Sequence, residues 1–241
     1  MTPQPTAATI FNEIGPGDVF FWHTALSWMM WNFQVAGLLA GLATIVVALP
    51  LGRLFDEAPW ALPSVIGVAV VAGTGMLLRS LTTHAGLVVL GQAAAAGLYL
   101  LVTQLGETTV FGVVPTPETL TALLDHFEQA QDTITRYAAP APATPGITVM
   151  LVVIIVVVAL AVDMASATAA SPSVAGLPLL SLFLVSAANS GGSMHWAWFL
   201  AGAGLWLAMV VHQSDVDLHG WATSVPRMAR GDGEDSAGRS H

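Results

Sequence analysis

Long apolar runs separated by short polar breaks make up most of this chain, and one break is far longer than the rest. A bilayer core of about 30 Å is crossed by about 20 residues of mostly apolar helix. Six windows have this character: Phe33–Leu51, Leu62–Leu78, Ala85–Leu105, Ile147–Val162, Val174–Ala188 and Met194–Val211. The second, fourth and fifth are short, and the fifth also reads as a half-span, so five or seven spans are the alternatives to six. The pattern predicts an all-α, polytopic membrane helical bundle. Ahead of the first window, Val19–Trp31 crowds aromatics and Met in a way that suits the headgroup zone.

The long break, Gly112 to Gly146, has its own helical pattern. Thr116 suits an N-cap, Pro117 the first helical position and Glu118 the positive end of the helix dipole. Leu120, Leu123, Leu124, Phe127, Ala130, Ile134 and Tyr137 recur at the spacing of one helix face, with acids over the remainder. An amphipathic helix over 117–137 follows, its apolar face packing on the end of the bundle as a lid. The sequence after it, APAPATPG, lacks the backbone donors a helix needs and returns as a stiff strap.

Composition sharpens this picture. Only 9% of residues are charged and the mean hydropathy is +0.72, against roughly 25% charged in soluble domains. Six Arg, no Lys and a net charge of -9 leave no basic surface for a phosphate backbone, which excludes nucleic acid as a partner. Residues 1–18 carry acids and no Arg or Lys, so they read as a polar tail and not as a secretory signal. Residues 19–212 form the membrane domain, and 213–241, of mixed charge with Gly, Ser and Pro, read as a disordered cytoplasmic tail. Arg79, Arg227, Arg230 and Arg239 outnumber Arg53 and Arg136 on the other side, which places both termini in the cytoplasm and the 117–137 helix outside the plasma membrane.

Few residues carry candidate chemistry. Asp163 closes one apolar run and Arg79 another, both near the cytoplasmic boundary, so an ion pair between them is expected, with proton or ion coupling at Asp163 the alternative. Glu118, Asp125 and Asp132 recur every seven residues on the polar helix and form a candidate docking surface, or simply a solvated face. His23, His84, His195 and His212 fall near span ends without an HxxxH or HExxH pair, so they read as interface residues, and no metal or cofactor is assigned. The small-residue patterns at Gly37–Gly41 and Ala93–Gly97 read as internal helix contacts before dimer contacts. Asn189–Ser193 lacks a phosphate-loop ending and reads as a turn.

The order of four motifs adds a family resemblance. PTP at Pro115–Pro117, APAPATPG at Ala139–Gly146, VDMA at Val162–Ala165 and SPSVAGLPLL at Ser171–Leu180 resemble the N-terminal membrane domain of the TgpA family of transglutaminase-like membrane proteins, in its actinobacterial form. The resemblance is clearest from Arg79 to Val211. It implies a multi-span domain followed by an extracytoplasmic transglutaminase-like domain with a Cys-His-Asp triad, and a MoxR-type ATPase and a von Willebrand-like protein as partners. Since the chain has no Cys, it cannot supply the thiolate that such chemistry needs. It is therefore expected to be a truncated or split member, or a membrane domain with work of its own. The function expected is a non-catalytic anchor and scaffold for an extracytoplasmic domain or partner; a small transporter or channel is the alternative, hinted at by Asp163, Pro50, Pro63 and Pro178.

Overall fold

A computed structural model describes residues 34–109, 114–190 and 195–224, with side chains described as far as Ser214. The polar tail, the aromatic block at Val19–Trp31 and residues 225–241 lie outside the described residues, as does most of the Asn189–Ser193 turn. Among the described residues seven long helices follow one another: α1 (Gln34–Leu54), α2 (Ala61–Leu81), α3 (Ala85–Gln104), α4 (Pro117–Arg136), α5 (Pro145–Thr168), α6 (Pro172–Asn189) and α7 (Ala197–Ser224). All but α4 are long and apolar enough to cross a membrane.

Two expected span ends move for one reason. Arg79 does not stop the second span, since α2 runs on to Leu81, and Asp163 does not close the fourth, since α5 continues through a π-helical turn at Met164–Thr168. Each charge is met by the other inside the bundle, so neither has to leave the helix for water. The sixth span, α7, also outruns its expected end at Val211 and continues to Ser224, into the segment expected to be disordered.

The chain crosses back and forth around α5. That helix buries Ile147, Leu151, Val152, Ile155, Val156, Ala159 and Val162 and touches α2, α3, α4 and α6. Beta-branched residues dominate this run, stiff side chains that pack a helix surface with little rotamer freedom to lose. Small residues set how closely the neighbours approach. A Cβ on Gly67 of α2 would lie 2.5 Å from Val156 of α5 and 2.9 Å from the Tyr99 ring of α3; here three helices meet, and the Tyr99 hydroxyl donates to the Pro63 carbonyl at 2.5 Å. Gly41 of α1 sits over Val68 and Ala72 in the same way, so the Gly37–Gly41 pattern is an internal contact. A Cβ on Gly97 of α3 would meet nothing within 4 Å and Ala93 is exposed, so that second pattern faces outward.

Gly37 near the start of α1, Arg79 near the end of α2 and Asp163 near the end of α5 share one end of the bundle. The opposite end, about 26 Å away along α5 at 1.5 Å per residue, carries α4. The strap after α4 has a cis peptide at Ala139–Pro140 and pairs with the loop after α1: Ala141 N–H donates to the Leu54 carbonyl at 2.9 Å, and Asp56 N–H to the Ala141 carbonyl at 3.1 Å.

Gly67→Val overfills the junction with Val156 and Tyr99 and is expected to lower stability by about 1–3 kcal/mol, read as a fall in the thermal midpoint in detergent. Gly73→Ala, on a face of α2 with nothing within 4 Å, should leave the midpoint unchanged or slightly raised.

Candidate functional site: a buried ion pair and an acidic cleft

The end of the bundle away from α4 holds a polar cluster. Arg79 reaches from α2 to Asp163 on α5 with two parallel bonds, Nη1 to Oδ2 at 2.8 Å and Nη2 to Oδ1 at 3.1 Å. Such a forked guanidinium–carboxylate pair is both stronger and more directional than a point contact. The side chains are 7% and 2% exposed. Gln92 of α3 adds its amide, donating to Asp163 Oδ2 at 2.6 Å and to the Val71 carbonyl at 3.0 Å. Arg79 Nη1 also donates to the Thr168 hydroxyl at 3.2 Å, which the π-helical turn presents one turn beyond Asp163.

Glycines make the room. A Cβ on Gly75 would overlap the Gln92 amide nitrogen and lie 2.8 Å from Arg79 Nη2, and one on Gly37 would lie 3.0 Å from Arg79 Nη2. The cluster thus ties α1, α2, α3 and α5 together at one point. Taking ions out of water costs several kcal/mol each even after relaxation, and only a good partner offsets it. Removing the Asp163 carboxylate would strand a guanidinium in an apolar bundle. The chemistry available here is therefore holding, with charge exchange opposed by the pairing itself.

At the other end, Thr116 caps α4: its hydroxyl accepts from Thr119 N–H at 3.4 Å, while the Thr119 hydroxyl accepts from Thr116 N–H at 3.0 Å. A hydrogen bond from Thr116, then one from its own backbone N–H, hold the Glu118 carboxyl below the ordinary glutamate range. The face that packs on the bundle keeps Ala130, Leu123 and Phe127 of the one expected and differs in the rest. Thr119, Ala130 and Thr133 are buried, Leu123 and Phe127 are half-buried, and Leu120, Leu124, Ile134 and Tyr137 are more than half exposed. The cause is close approach: a Cβ on Gly146 of α5 would lie 2.5 Å from the His126 carbonyl oxygen, a separation that leaves no space for leucines in the seam. Gln129 uses the same proximity to accept from Gly146 N–H at 2.7 Å, satisfying a free donor at the start of α5.

Between α4 and the strap lies a cleft of about 500 Å³. Asp125, Glu128 and Asp132 line it together with Arg136, Tyr137, Pro142 and Thr144. Asp132 pairs with Arg136 at 2.9 Å, exposed and one helical turn apart, an arrangement worth a few tenths of a kcal/mol. Among the described residues, no three His, Asp or Glu side chains gather as a metal would need.

A family model, the TgpA N-terminal domain, matches residues 42–238. The chain belongs to the TgpA N-terminal domain family. No curated protein and no solved structure matches it. The match is to the N-terminal domain and not to the catalytic transglutaminase domain, and this TgpA N-terminal domain has no Cys. Its six long apolar helices are those of a multi-pass membrane protein.

Of the residues singled out in the sequence, Arg79 and Asp163 are brought into direct contact. Asp125 and Asp132 share the cleft, while Glu118 stands outside it at the helix start. Gln92, Thr168, Gly75 and Glu128 were not singled out. A lone Gln inside the run Gly91–Gly97 was the signal available for the first, since a polar amide within a span requires a partner.

Asp163→Ala leaves the Arg79 guanidinium buried without its counter-ion and is expected to cost about 3–5 kcal/mol, seen as loss of the folded fraction or a large fall in thermal midpoint in detergent. Gly75→Val, which displaces Gln92 and Arg79 without removing a charge, should lower the midpoint by a smaller amount.

Proposed function

We propose that this domain is a non-catalytic membrane anchor and scaffold, and that α4 docks an extracytoplasmic domain or partner. The observation that carries the reading is the acidic cleft between α4 and the strap, with Asp125, Glu128 and Asp132 along one side. It sits on a helix rigidly joined to the bundle through Gly146 and Gln129, so force or position at the cleft is transmitted to the spans. A transglutaminase-like domain or subunit is the docked body that the family resemblance implies, and the matched region is the family's N-terminal domain. Transport is disfavoured by the ion pair, because Asp163 is held by Arg79 and Gln92 at once.

The proposed orientation in the plasma membrane puts the termini in the cytoplasm and α4 outside, on the strength of the Arg distribution. Because the chain contains no Cys, a single Gln131→Cys on exposed α4 gives a clean reporter. A membrane-impermeant maleimide should label it in intact cells; labelling only after lysis would reverse the orientation.

Replacing Glu118, Asp125 and Asp132 together by Ser is expected to reduce co-purification of a co-expressed transglutaminase-like domain at least tenfold at low salt. The thermal midpoint should change little, because these side chains are exposed. Unchanged co-purification would make the acidic face merely solvated.

A further inference from the structure

We propose that the slot between α6 and α7 is a binding site for a single lipid acyl chain. The inference rests on the six helices being membrane spans and is independent of docking at α4. Two side-chain contacts join the helices, two turns apart on each. At one end the Phe183 and Phe199 rings meet, centroids 5.6 Å apart. At the other, the Trp206 indole N–H donates to the Pro172 carbonyl at 3.0 Å, and the ring lies so close over Gly176 that a Cβ there would be 2.9 Å from Nε1. Between these contacts lies the open slot. Val47 of α1, held against Gly202, and Leu179 form the floor, with Leu180 and Ala203 at the sides of an open volume of about 330 Å³.

Size and chemistry separate water, a second copy of the chain and an acyl chain as occupants. Water needs two to four polar partners, yet the lining is apolar apart from Ser173, and the Trp206 N–H is already spent on Pro172. A helix from a second copy, at 5.4 Å per turn and about 10 Å across, displaces roughly 420 Å³ in one turn, more than the whole slot and far short of the several turns a stable helix contact buries. An apolar cavity of about 150 Å³ holds a benzene ring, so this slot holds an apolar body of roughly a dozen carbons. An acyl chain has that volume, is thin enough to pass between the helices, and is the solvent outside. Filling the gap restores the contacts that an empty slot denies its walls and fastens α7, whose described residues bury little beyond Gly202 and Met209, to the rest of the bundle.

The test uses the full chain reconstituted in phosphatidylcholine and then purified in detergent. Native mass spectrometry should find one phospholipid retained per chain. Ala203→Phe, which places a ring in the slot, should reduce retention at least fivefold, and Leu180→Trp should do the same by a second route if the first variant fails to fold. Leu90→Phe on the exposed side of α3 should leave retention unchanged. In vesicles of brominated-chain phosphatidylcholine, the Trp206 component of quenching, obtained by difference from Trp206→Phe, should fall at least twofold in the folded slot variant. Equal retention and quenching in both folded slot variants would overturn the proposal. So would a dimer in the bilayer that Ala203→Phe abolishes, which would assign the slot to a second copy.

Discussion

A carboxylate and a guanidinium stay inside an apolar helical bundle only by neutralising each other, and this constraint shapes one end of the domain. The Arg79–Asp163 pair fixes where α2 and α5 cross, because both bonds of the fork require the two side chains to meet end on. Gln92 then fixes α3, Gly75 leaves room on α2 for Gln92, Gly37 lets α1 approach Arg79 and Met76 of α2, and the π-helical turn brings Thr168 to Arg79 Nη1. Each of these features is small, and none has an evident purpose without the pair. The other end of the bundle needs no charge, being closed by backbone proximity between α4 and Gly146.

This division of labour bears on function. A membrane domain that moves ions leaves an ionisable group able to change partners; here the ionisable group is engaged on both oxygens, by Arg79 and, on one of them, by Gln92 as well. The exposed side of α4 presents acids and an unburied apolar stripe of Leu120, Leu124 and Ile134 on adjacent arcs of one helix. A rigid bundle with one presented helix suits holding another body in place.

Different parts of this architecture were legible to different degrees. The capped start of α4 was readable because Thr116, Pro117 and Glu118 act through local backbone geometry, which sequence neighbours determine. The spans were readable because bilayer thickness sets their length, but the ends of α2 and α5 were not: a charge on a hydropathy profile marks a stop unless its partner, 84 residues away in sequence, is known. The seam of α4 was legible only in part for a related reason. Hydrophobicity nominates Ala130, which is buried, together with the leucines, whereas a close approach of two backbones keeps Ala130 and adds Thr119 and Thr133 in place of Leu120 and Leu124. Gln92 and Gly75 owe their roles to the crossing of three helices, a fact that no local pattern contains.

The central claim is that Arg79 and Asp163 act as one structural unit, and a double-mutant cycle measures that directly. Arg79→Met, Asp163→Leu and the double variant would be unfolded by denaturant in mixed micelles and compared with the unaltered chain. The account predicts that each single change costs about 3–5 kcal/mol by stranding a charge, and that the double variant recovers most of it, giving a coupling of several kcal/mol. Additive losses, with the double variant as unstable as the sum of the singles, would contradict it.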